Sequence, residues 1–124
     1  MKKQLFISRG ALTVYLPVDR LMYFEADGNY TTIYTIDGES YVFTYQLGEI
    51  VKMIQEQLGK EGFRLARVGR GLIVNIEYVR LIDVTDNKLV LSDYQGHNHE
   101  LIASREALKD LSLLKNRLIT EGII

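Results

Sequence analysis

Residues 63–75, FRLARVGRGLIVN, hold the side chains best suited to chemistry. Arg64, Arg67 and Arg70 follow one another at three-residue intervals, and no acidic residue interrupts them. Gly69 and Gly71 bracket the last arginine. A guanidinium is a planar fork of donors that fits guanine O6 and N7, or a phosphate. Glycine on either side lets the backbone approach another surface closely and adopt conformations that other residues avoid. The chemistry this suggests is recognition of an anion or a base edge, without bond making. The same residues also permit a plain reading, in which Arg64 and Arg67 are solvated or paired with nearby acids. Residue types alone do not separate the two.

Two other clusters invite a chemical reading. His97 and His99 stand two apart in GHNHE, a spacing that on a strand points both side chains to one side. Such a pair can grip a metal, with Asp93 or Glu100 assisting, but no third ligand stands at a recognisable spacing. A polar hairpin edge explains the pair as well. Gly69-x-Gly71 superficially resembles a dinucleotide loop. The third glycine of that motif would fall at Val74, and the segment should open a helix, whereas LIVN reads as a strand. No nucleophile and base are recognisable together elsewhere, so no catalytic residues are assigned and no cofactor is expected.

The elements that must position Arg70 are mostly strands. Alternating or β-branched runs occupy QLFISR, ALTVYL, LMYFEA, NYTTIYTI and SYVFTY. Asp37-Gly38 joins the last two as a two-residue hairpin signal. Residues 78–85 and 88–92 pair across Thr85-Asp86-Asn87, and 98–103 forms a final strand after a turn at Tyr94–Gly96. Two segments have helical spacing instead. Leu47, Ile50, Val51, Ile54 and Leu58 recur along a mid-chain helix of about 46–58, which Gly59 stops. Ser104 caps a C-terminal helix of about 105–120 with Leu108, Leu111, Leu114 and Leu118 on one face. In this frame the arginine stretch is a strand and loop leading into a buried strand, Leu72–Val74, with Asn75 as a turn.

The whole chain sets the bounds. Its 124 residues suit one domain. Hydrophobic residues at 47% and charged residues at 25% are ordinary for a globular chain. The absence of cysteine excludes disulfides and thiolate metal sites and fits a reducing cytoplasm. No apolar run is long enough for a membrane span, so no membrane insertion is expected. The formal net charge of −1 gives no global support to nucleic-acid binding, so local charge must carry that reading.

Taken in order, the segments resemble the LytTR-type DNA-binding domain typical of bacterial response regulators. Leu21-Met22-Tyr23-Phe24-Glu25-Ala26-Asp27-Gly28-Asn29-Tyr30 is similar to the family's I-x-Y-I-E-A-x-G-N-Y. Gln46-Leu47-Gly48-Glu49-Ile50 through Leu58 is similar to its S-L-x-E-L-x-x-x-L helix. Phe63 to Asn75 resembles F-x-R-x-H-R-S-x-x-V-N, and Ser104-Arg105 the late S-R pair. The resemblance covers nearly the whole chain. It implies an elongated, mainly β fold of short antiparallel strands whose loops enter the major groove of double-stranded DNA, in a transcriptional regulator that commonly engages direct repeats.

Carried over by position, the resemblance implies DNA contacts from Asn29, Tyr30 and Thr31, from Arg70 and Arg105, and from Lys109 one turn further on. It implies a backbone contact or a structural role for Arg67. It also implies a second copy on an adjacent repeat. No receiver domain is expected within these 124 residues, and both a stand-alone member and a part of a longer regulator fit, which leaves room for a regulatory protein partner. One departure stands out: the family's H-R-S triplet is Gly69-Arg70-Gly71 here, with the arginine kept and two hydrogen-bonding neighbours gone. That loss also allows a rival reading, an interaction module on the same fold that no longer binds DNA. A small metal-dependent enzyme using His97 and His99 is the more distant rival.

Overall fold

The computed structural model describes residues 3–124. Ten strands and two α-helices make a mainly β fold in which every strand pair is antiparallel. A five-stranded sheet lies at its centre. Its strands are β3 (Leu21–Asp27), β4 (Tyr30–Thr35), β5 (Ser40–Phe43), β6 (Leu65–Val68) and β7 (Leu72–Asn75), in the order β5-β4-β3-β7-β6. The period of two along each strand sends alternate side chains to opposite faces, so the sheet feeds two separate cores.

On one face, Phe24, Ile33, Phe43, Leu65 and Ile73 pack against a two-stranded hairpin and a helix. The hairpin is β1 (Gln4–Arg9) with β2 (Leu12–Pro17), and the helix is α1 (Leu47–Leu58). Leu47, Ile50, Ile54 and Leu58 of α1 are buried, as their spacing requires. A reciprocal cap starts this helix. The Gln46 side chain accepts from the backbone of Glu49, and the Glu49 carboxylate accepts from the Gln46 N–H at 2.9 Å. Gln57 of α1 reaches the free edge of β1. It accepts from the Phe6 N–H at 2.8 Å and donates to the Phe6 carbonyl at 3.0 Å, which satisfies an edge that would otherwise pair with another chain.

On the other face, Tyr23, Val68, Leu72 and Val74 meet a three-stranded sheet and the second helix. That sheet consists of β8 (Val79–Asp83), β9 (Lys88–Ser92) and β10 (Asn98–Ile102), ordered β10-β9-β8. Helix α2 (Arg105–Thr120) buries Leu108, Leu111 and Leu118 against them, with Leu114 partly buried. Ser104 caps α2 by accepting from the Ala107 N–H at 3.2 Å. Both helices thus fall where the apolar spacing placed them.

Three details differ from the sequence reading. Asp37-Gly38 does mark a turn, but the connection is a three-residue loop, Ile36 to Gly38. The Thr35 N–H donates to the Glu39 carbonyl at 3.0 Å and the Gly38 N–H to the Thr35 carbonyl at 3.2 Å. Gly38 stands at φ 87°, which explains why glycine is the residue there. After α1, a 3-10 segment spans Gly59–Arg64, which apolar periodicity gave no reason to expect. Asn75 is more than a turn residue. It is wholly buried, its amide donates to the carbonyls of Val18 at 3.1 Å and Leu21 at 2.9 Å, and its Oδ1 accepts from the Glu77 N–H at 3.1 Å. It pins the end of β7 to the chain entering β3.

Candidate nucleic-acid interface

One end of the central sheet collects the turns that matter. β3 and β4 pair from Asp27 opposite Tyr30, so Gly28-Asn29 is a two-residue hairpin turn. Gly28, its first residue, has φ 61°, as that kind of turn needs. β6 and β7 pair up to Val68 opposite Leu72, leaving Gly69-Arg70-Gly71 as a three-residue tip. β3 pairs with β7 through Glu25 and Leu72, and the Ala26 N–H donates to the Gly71 carbonyl at 2.9 Å. The two turns therefore project from the same end of the sheet. Asn29 is exposed and Tyr30 half exposed.

The three arginines of the 63–75 stretch have separate fates. Arg64 is neutralised, with NH1 3.3 Å from a Glu77 carboxylate oxygen and Nε 3.8 Å from Glu61. Arg67 turns back and donates to the carbonyl of Arg70 at 3.3 Å, bracing the tip from within. Arg70 alone points out from the tip with no side-chain partner among the described residues.

The tip also meets the start of α2. Gly69 lies so close that a Cβ on it would stand 3.8 Å from the Ala107 Cβ. Gly69 to Gly71 and Ile102 to Ser104 line one open groove. Arg105, the first residue of α2, and Lys109, one turn on, are exposed and equally without side-chain partners among the described residues. A helix N-terminus favours an anion, because its first N–H groups have no intrahelical acceptor. Arg70 thus lines this groove, and Arg105 follows its last lining residue, Ser104, at the start of the helix. The edge is not uniformly positive, since Asp27 and Glu106 are also exposed there.

Arg9 is a further cation at this end that the sequence reading left out. It lies at the tip of the β1–β2 hairpin, 4.6 Å above the centre of the Tyr45 ring. Tyr45 donates to the Ser8 carbonyl at 2.5 Å and, through its own carbonyl, accepts from Thr31 at 2.8 Å, beside the Gly28-Asn29 turn. Its only trace in the sequence was Ser8-Arg9-Gly10, a basic residue at a glycine turn.

Thr31 does not belong with Asn29 and Tyr30 as an outward contact. Its side chain is fully buried and its hydroxyl is engaged by the Tyr45 carbonyl. The alternation of β4 turns it inward, toward the core that holds Ile33. The two histidines also part company. His97 lies before β10 and pairs through Nδ1 with Asp93 at 2.6 Å. Burial works to raise the Asp93 carboxyl, but hydrogen bonds from Gln95 and His97 outweigh it and hold the group below the usual carboxylate range. His99 lies in β10, with Nδ1 3.3 Å from the Tyr23 hydroxyl and its ring against the stacked Tyr23–Tyr34 pair. Burial and the neighbouring His97 lower its pKa. No group of three or more His, Cys, Asp or Glu side chains is placed to hold a metal among the described residues.

A mainly β domain with free guanidinium groups and a helix start along one rim has the makings of a surface for a polyanion. The family model for the LytTr DNA-binding domain matches residues 11–116, and the chain belongs to this family of DNA-binding domains. Among solved structures, the fold is similar to the LytTr DNA-binding domain of a Bacillus cereus protein described as a methyl-accepting/DNA response regulator. The TM-score is 0.61 at 21% sequence identity, over 92% of this chain and 97% of that one. A comparison with curated proteins found no match.

Proposed function

We propose that this chain is a sequence-specific, transcription-regulating binder of double-stranded DNA whose turn-bearing rim enters the major groove. The observation that carries the reading is an exposed, unpaired Arg70 in a groove whose lining ends at Ser104, immediately before the equally exposed and unpaired Arg105 at the start of α2. An arginine without an internal partner breaks no intramolecular bond when it meets a guanine, and a bidentate contact is worth about 1–3 kcal/mol of discrimination. Asn29 and Tyr30 supply a third contact from the neighbouring turn. Lys109 and Arg9 face phosphates and set position, not sequence. Arg67 acts inside the protein, holding the tip that presents Arg70.

The description of the similar Bacillus cereus structure as part of a response regulator supports a regulatory role. We further propose two protomers on adjacent direct repeats, acting in the cytoplasm. No helix among the described residues is long and apolar enough to cross a membrane, which accords with that setting. The net charge of −1 and the acids on the rim imply few neutralised phosphates and a shallow dependence of affinity on salt. The chemistry proposed is recognition, without bond making.

The test is selection of sites from random duplexes, followed by affinity against salt for the native chain, Arg70→Ala and Arg105→Ala. Each substitution should lower preference for the selected site. Unchanged preference in both would refute the readout. No shift of any duplex at low salt, with a protein partner co-purifying, would favour the interaction module.

A further inference from the structure

The outward face of β10 breaks its own pattern at the edge of the groove. Leu101 points inward and is buried, while Asn98, Glu100 and Ile102 are exposed. Asn98 and Glu100 are polar, as a water-facing row should be. Ile102 is not, and at 83% it is the most exposed large hydrophobic side chain among the described residues, ahead of Tyr94 at 71%. Its neighbours in the groove are Val68, Gly69, Arg70, Gly71, Leu72, Ala103 and Ser104; Val68 and Leu72 are buried, so Ile102 is the large apolar side chain this groove leaves exposed beside Arg70.

We propose that Ile102 is a specificity-determining residue that reads the C5 methyl group of a thymine lying between the base pairs contacted by Arg70 and Arg105. This rests on the DNA-binding reading above and adds a contact of different chemistry to it. In the major groove, thymine alone among the four bases displays a methyl group, and apolar side chains distinguish it by contact. Ile102 meets the requirements. It shares a groove with one of the two unpaired arginines and lies three residues before the other. It is β-branched, so its methyl groups are held in few rotamers and lose little freedom on contact. Its high exposure in the free protein leaves nearly all its apolar surface available for burial against the base.

Replacing thymine by uracil removes this methyl group and changes nothing else in the base pair, which makes the proposal separable from the arginine contacts. In the selected duplex, each thymine is exchanged in turn for uracil, and affinity is measured for the native chain, Ile102→Ser and Leu113→Ser. Leu113 is exposed at 69% on α2, away from the groove residues, and serves as the control. The native chain and Leu113→Ser should lose about three- to tenfold in affinity at one thymine position, the scale expected for one buried methyl contact. Ile102→Ser should bind thymine and uracil duplexes equally there, keep its dependence on Arg70, and melt at the native temperature. The proposal is overturned if no thymine-to-uracil exchange weakens the native chain, or if Ile102→Ser remains as sensitive as native. A native chain with no preference among duplexes overturns the DNA-binding reading itself.

Discussion

Asn75 offers the sharpest test of how the rim is held. Its side chain is fully buried and makes three hydrogen bonds, two donated to the Val18 and Leu21 carbonyls and one accepted from the Glu77 N–H. Asn75→Ala removes all three and leaves a small void. Each lost bond is worth about 1 kcal/mol, and the Val18 carbonyl keeps a second donor, the Leu21 N–H. The expected cost is therefore about 2–4 kcal/mol. At roughly 2.1 cal/mol/K per residue, the unfolding entropy of a chain this size translates that into a drop in Tm of about 8–16 °C. Asn75→Asp keeps the shape but points a carboxylate oxygen at two carbonyls, so it should cost more than alanine at neutral pH. Its folded pKa would be raised by burial and by those oxygens. Stability in that variant would then be greatest below the unfolded carboxyl pKa and lost as pH rises through the folded value. Calorimetry of the three proteins from pH 4 to 8 provides the assay. An Asn75→Ala variant melting within about 2 °C of native would refute the reasoning.

Further outcomes follow from the same geometry. Thr31→Val should lose about 1–2 kcal/mol of stability, because the Tyr45 carbonyl loses its donor, yet leave DNA affinity unchanged in a gel-shift titration. Gly71→Ser should fold normally, since a Cβ there meets nothing within 4 Å. Gly69 has φ 64°, a conformation histidine tolerates better than most residues, so Gly69→His should cost only about 1 kcal/mol. The double variant, which restores histidine and serine around Arg70, should bind its selected site about 1–2 kcal/mol more tightly, as titration would report. Because burial and His97 lower the folded pKa of His99, its contribution to stability is present above the unfolded value of about 6.5 and is lost as pH falls through the lowered folded value. His99→Gln should flatten that part of the stability–pH curve measured by urea titration.

The parts of this molecule legible in its sequence are those set by local signals. Leucine spacing and Ser104 located α2, and alternation located the strands. Gly59 and Gly38 each stand at positive φ where a helix stop and a turn were expected. Turn length was less legible, because Asp37-Gly38 fits both a two-residue and a three-residue loop. The inward direction of Thr31 depends on which face of β4 meets the core, and the segment YTTIYT carries threonine on both faces, so residue type did not show the alternation that burial does. Asn75 read as a turn because its partners, Val18 and Leu21, are more than fifty residues away. The grouping of Arg70 with Arg105 depends on β7 pairing with β3 and on α2 packing over the sheet, neither of which a local pattern encodes. The family resemblance named both arginines, and the fold supplies the groove that Arg70 lines, ending at Ser104 beside Arg105.

The most direct test of DNA reading by this rim is the affinity of Arg70→Ala and Arg105→Ala for a selected duplex and for a scrambled one, at several salt concentrations. Each variant should lose about 1–3 kcal/mol of preference for the selected duplex while keeping the native melting temperature. Equal preference in the native chain and both variants would contradict it.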